Sequence, residues 1–85
     1  MEQLPQKKDL MSATIEVMKQ QDRPMNTSEI NDAVAEYLNI PEDLLAIEDT
    51  NFTGTEYSYR MRWIRTQLKQ NGLIVNVKRG EWRLA

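Results

Sequence analysis

The stretch TEYSYRMRWIRTQLKQNGLIVNVKRGEWRLA, residues 55–85, holds seven Lys or Arg against two Glu, whereas the preceding residues hold four against eleven Asp or Glu. A chain of formal net charge −2 therefore keeps most of its cations in its last third. Asymmetry of this kind points to an anionic partner. At helical spacing, Thr55, Ser58, Tyr59, Arg62, Thr66, Lys69 and Gln70 share one arc, with Arg65 beside it. Tyr57, Met61, Ile64 and Leu68 form the opposite, apolar arc. Such a helix is fixed by one side and presents cations, hydroxyls and a phenol on the other. That mixture suits a duplex: Arg and Lys neutralise phosphates and read guanine edges, Ser and Thr donate to phosphate, and Tyr offers a ring or a hydroxyl. Lys78 and Arg79 precede Gly80 in a turn that would carry them to the backbone or the minor groove.

Blander readings fit the same residues. An outer arc of Arg, Thr and Lys is also what a solvated helix face looks like, and Lys-Arg-Gly is ordinary turn chemistry. Trp63 could touch nucleic acid, but a tryptophan flanking a small core more often packs under a hairpin, and Trp82 reads as core beside Leu84. Tyr37 lies on the apolar face of its helix, and Met11 and Met18 read as core fillers. Arg60 falls at the core edge, where a carboxylate of the acidic half would pair with it.

Other chemistries find little support. The chain has no Cys and no His, which removes thiolate sites, disulfides and the side chain best suited to proton transfer near neutral pH. Gly54, Gly72 and Gly80 are too far apart for a phosphate-cradling loop. The carboxylates of PEDLLAIED lack calcium-loop spacing. No catalytic residue, metal ligand or cofactor is therefore expected, and the acidic half reads as a solvated surface that would confine an anionic partner to the basic face. Nothing resembles a signal peptide or a membrane span, so a cytoplasmic protein with no membrane partner is expected.

The elements that must position these groups can be read from periodicity. Met11, Thr14, Ile15 and Met18 give the stripe of a first helix over about residues 6–20, ended before Pro24. Pro24 and Met25 suit a short extended segment. In NTSEINDAVAEYLNI, Asn26 or Thr27 can cap a helix over 27–38, Glu29 sits three residues after Asn26 as a capping box requires, and Ile30, Ala33, Val34, Tyr37 and Leu38 form the apolar face. A short turn of helix follows at 41–46, with Pro41 at its first position. Thr55 caps the charged helix, about 56–71, and Gly72 stops it. The period then changes to two. Leu73, Val75 and Val77 alternate, as do Trp82 and Leu84, which predicts a hairpin of 73–77 and 81–84 with a three-residue turn and Gly80 left-handed. The fold class expected is mainly α with a small C-terminal β-hairpin, one domain over 1–85. Helix, short strand, helix, helix, hairpin is the order of a winged helix-turn-helix.

TSEINDAVAEYLNI, YRMRWIRTQLKQNGLI and KRGEWRLA together resemble the N-terminal domain of Mrr-type restriction endonucleases. The motif residues are Arg60, Trp63, Arg65, Thr66, Leu68, Lys69, Gly72 and Leu73, then Arg79, Gly80, Trp82, Arg83 and Leu84. The resemblance covers nearly the whole chain. It implies a winged-helix fold and a DNA-targeting role ahead of a separate nuclease domain that cleaves modified DNA. Where that family often has a small residue, this chain has Arg62. The long connection at 39–55 departs from a tight helix-turn-helix turn, a feature the family shares.

The expectation is thus a module that binds double-stranded DNA through Thr55, Ser58, Tyr59, Arg62, Arg65, Thr66, Lys69, Lys78 and Arg79. It would be the targeting domain of a restriction endonuclease or a standalone relative, not an enzyme itself. The alternative is a protein-interaction or dimerisation module on the same scaffold, so a homodimer and a downstream nuclease domain are the further partners to consider.

Overall fold

Four helices and three strands build the chain in a computed structural model that describes residues 4–50 and 53–85. Helix α1 (Lys7–Gln21) has Asp9 in its first turn and Lys19 in its last, each at the end the helix dipole favours. It stops at Asp22, which turns left-handed and donates its N–H to the Met18 carbonyl. The buried line of α1 is Leu10, Ala13, Thr14, Val17 and Met18. The expected stripe is therefore rotated: Met11 and Ile15 lie at its margin, half-buried against the core. Ala13, almost fully buried, gives too weak a hydropathic signal to reveal that rotation in advance. The buried Thr14 hydroxyl is satisfied by the Leu10 carbonyl at 2.7 Å.

A two-residue strand, β1 (Met25–Asn26), leads directly into α2 (Thr27–Tyr37). The capping box forms as read: Glu29 N–H donates to Asn26 Oδ1 at 2.8 Å, and Asn26 N–H to Glu29 Oε1 at 3.1 Å. Arg23 reaches the same carboxylate at 2.6 Å. Ile30 and Val34 enter the core completely. Tyr37 does not; at the last residue of α2 it is 48% exposed, beside Gln20 and Gln21 at the end of α1. The inward line of α2 runs through Ile30, Val34 and the half-buried Leu38, and leaves Tyr37 on its flank.

Helix α3 (Glu42–Leu45) is one turn long, with Pro41 at its N-cap, one position earlier than expected, and Leu44 buried beneath it. A bridge between Glu48 and Thr55 closes the following loop, and Glu56 N–H donates to the Ile47 carbonyl at 2.8 Å. Helix α4 (Glu56–Gln70) then buries Tyr57, Met61, Ile64 and Leu68, the stripe its period predicts, together with Arg65. Gly72, at φ 77, makes the left-handed exit that a Cβ would strain.

Strands β2 (Ile74–Lys78) and β3 (Glu81–Leu84) form the hairpin, and β1 pairs with the other edge of β3, giving the antiparallel order β1-β3-β2. The hairpin differs from expectation in two ways. Lys78 pairs with Glu81, so the turn is the two residues Arg79 and Gly80, with Gly80 left-handed at φ 78. The inward residue of β2 is Ile74, fully buried, whereas Leu73 and Val77 are 47% and 41% exposed. Asn76 pairs with Trp82 and Lys78 with Glu81, which leaves Val77 as the extra residue of a bulge. Trp82 and Leu84 pack against the core as read. This mostly helical α+β arrangement is compatible with the winged helix that the element order suggests.

Candidate nucleic-acid interface

Thr55 opens the site. Its hydroxyl oxygen accepts the Ser58 N–H at 3.1 Å and its O–H donates to the Ser58 hydroxyl at 2.9 Å. Both side chains are half-buried and committed to starting α4, so their first role is capping. Tyr59, half-buried, lies one turn on, and Arg62 and Lys69 stand exposed along the outer arc. Thr66 is half-buried and its hydroxyl donates to the Arg62 carbonyl at 3.0 Å. No Asp or Glu occurs between residues 57 and 70. The one acidic neighbour on α4, Glu56, is occupied by Arg60 at 2.9 Å. Arg60 thus pairs with a carboxylate of its own helix, in solvent, and not with the acidic half.

Arg65 departs from the sequence reading most clearly. It is 7% exposed, and its Nη1 donates to Asn31 Oδ1 on α2 at 2.6 Å. The Tyr57 hydroxyl donates to the Asn31 carbonyl, also at 2.6 Å. Asn31 therefore receives two bonds from α4 and ties the two helices together. Burial pushes the Arg65 guanidinium below its ordinary range, partly offset by Tyr57, and nearby Arg62 pushes the same way as burial. Burial, helped by the charge of Asp32, also raises the Tyr57 phenol far above its usual value, so Tyr57 acts as a neutral donor. Arg65 is an internal fastener, and an approaching polyanion would not meet its charge. Nothing in the sequence marks Asn31, because its partners are 26 and 34 residues away.

Lys78 and Arg79 sit on the hairpin, which is anchored at its turn: Thr27 N–H donates to the Gly80 carbonyl at 3.1 Å. Lys78 is exposed but bridged to Glu81 at 3.1 Å. Lys69 and Arg79 form no ion pair among the described residues. Trp63, expected beneath the hairpin, is instead 57% exposed on α4 and meets the Tyr59 ring edge to face, with centroids 6.3 Å apart. The exposed carboxylates Asp32, Glu36, Glu42 and Asp43 belong to α2 and α3, which carry no Lys or Arg, whereas α1 carries both signs.

A helix with cations and hydroxyls on one arc and no acid among them can neutralise phosphates while its other side is held in the core. No helix among the described residues is long and apolar enough to cross a membrane. Residues 8–85 match the family model described as the Mrr N-terminal domain. No curated protein and no solved structure matches the chain.

Proposed function

The chain belongs to the Mrr N-terminal domain family, and from that premise we propose that it is a DNA-binding module associated with an Mrr-type restriction system. The duplex lies along the outer arc of α4, contacted by Arg62, Thr66 and Lys69, with Thr55, Ser58 and Tyr59 toward the start of the helix. Arg79 adds a phosphate contact from the hairpin turn, and Lys78 contributes once it exchanges Glu81 for phosphate. In this reading the module binds and does not catalyse. The observation that carries the proposal is the exposure of Arg62 and Lys69 on a stretch free of carboxylates, on a helix whose other side is fully packed.

The test is a duplex titration of the wild-type chain and of the Arg62→Glu, Lys69→Glu double variant at several salt concentrations. With roughly five phosphates contacted, log K should fall with log salt at a slope of about −4 to −5. The double variant should lose binding and keep its melting temperature, since both side chains are exposed. Undiminished affinity in that variant would refute the assignment of α4.

A further inference from the structure

Trp63 is the largest apolar side chain left more than half exposed among the described residues. Its indole is braced by a neighbour instead of by the core: the Tyr59 ring meets it at an interplanar angle of 77°. Between these two rings and α1 lies a cleft of about 300 Å3. Leu10 and Ile64, both nearly fully buried, form its floor, and Lys7, Arg60 and Gln67 stand around it. Lys7 is exposed and forms no ion pair among the described residues, whereas Arg60 is held by Glu56.

An apolar floor, an aromatic wall, one amide and one ammonium make the chemistry of a site for a planar, hydrogen-bonding heterocycle attached to a phosphate. The volume is at the small end for ligand sites, so the cleft takes one ring system and not a length of chain. Its aromatic wall belongs to the same helix as Arg62, Thr66 and Lys69. Trp63 follows Arg62 roughly 100° around α4, so a base that leaves its stack on the outer arc has the indole on the neighbouring arc of the same helix. A base already unpaired gives up no pairing to enter, which favours it over a paired one.

We infer that the cleft between α1 and α4 receives a single unpaired nucleobase, stacked on Trp63, with the Gln67 amide toward its hydrogen-bonding edge and Lys7 toward its phosphate. The inference rests on the reading that nucleic acid lies along α4, and adds the substrate feature that the module prefers: an unpaired base beside duplex.

The experiment is a fluorescence titration of the full chain with two duplexes identical except for one extrahelical thymine, at one salt concentration. The bulged duplex should bind about 10-fold more tightly than the matched one, in line with the loss seen when stacking aromatics are removed. It should also quench tryptophan emission. Trp63→Ala should abolish both the preference and the quench while matched-duplex affinity and melting temperature stay unchanged; Trp63→Phe should keep part of the preference. Equal affinities without quenching, or a preference that survives Trp63→Ala, would overturn the inference. So would a Trp63-dependent self-association indifferent to oligonucleotides, because it would assign the cleft to a second copy. Quenching by a bulged or single-stranded oligonucleotide with no affinity for matched duplex would uphold the cleft and bring down the duplex reading instead.

Discussion

Replacing Arg65 by Ala separates a packing role from a contact role more sharply than any other substitution on α4. Arg65 is 7% exposed, and its guanidinium donates to Asn31 Oδ1 at 2.6 Å. A hydrogen bond from a charged group contributes about 1.5–3 kcal/mol. The substitution also removes two stem methylenes, about 0.8 kcal/mol each when buried. Against these stands relief from burying a charge, whose sign is visible in the lowered affinity of Arg65 for its proton. A net loss of about 2–3 kcal/mol follows from these opposing contributions. For a domain of 85 residues that corresponds to a fall in melting temperature of about 10–20 °C. Circular dichroism melts check the first half. Salt-dependent duplex titrations well below the melting temperature check the second, where Arg65→Ala should keep the wild-type slope while Lys69→Ala should make it shallower by about 0.9. An Arg65→Ala chain that melts like wild type and loses a unit of salt slope would refute the argument and return Arg65 to the interface.

Glu29 accepts from Arg23 and from the Asn26 N–H, and both bonds lower its carboxyl below the ordinary value of 4.5. A folded-state value below the unfolded one means the contribution is present above about pH 4.5 and is lost as pH falls through the lowered value. Glu29→Gln should therefore flatten the decline of melting temperature on the acid side, and an unaltered acid profile would count against the capping-box assignment. Gly80 holds φ 78 with open space where a Cβ would stand. Gly80→Ala should cost about 1–2 kcal/mol from left-handed strain alone, read in denaturant melts, and an unchanged midpoint would show that the turn can relax.

Features that depend on residues three or four apart were legible in the chain. The Asn26–Glu29 capping box, the Thr55 cap and the stop at Gly72 are local arrangements that form as read, and Gly80 is left-handed as read although its turn holds two residues in place of three. The apolar arc of α4 was equally clear, because Tyr57, Met61, Ile64 and Leu68 leave no competing face. Where a segment offered two arcs, periodicity chose poorly. In α1, Thr14 and Met18 of the expected stripe are buried, joined by Leu10, Ala13 and Val17, while Met11 and Ile15 are left half-buried. In β2 a single bulge at Val77 and the inward turn of Ile74 reversed the face that alternation suggested.

Charge segregation, helix starts and stops, and the cationic arc belong to the sequence itself, since neighbours along the chain create them. Only the tertiary structure decided which cations remain outside. Arg65 is one step around the helix from the exposed arc, and its fate depends on Asn31, 34 residues earlier. Trp63 stays uncovered because the hairpin folds against the core through Ile74, Trp82 and Leu84 and leaves the α1–α4 side open. Burial depends on how separate elements meet, and that geometry has no signature in the spacing of residues on any one of them.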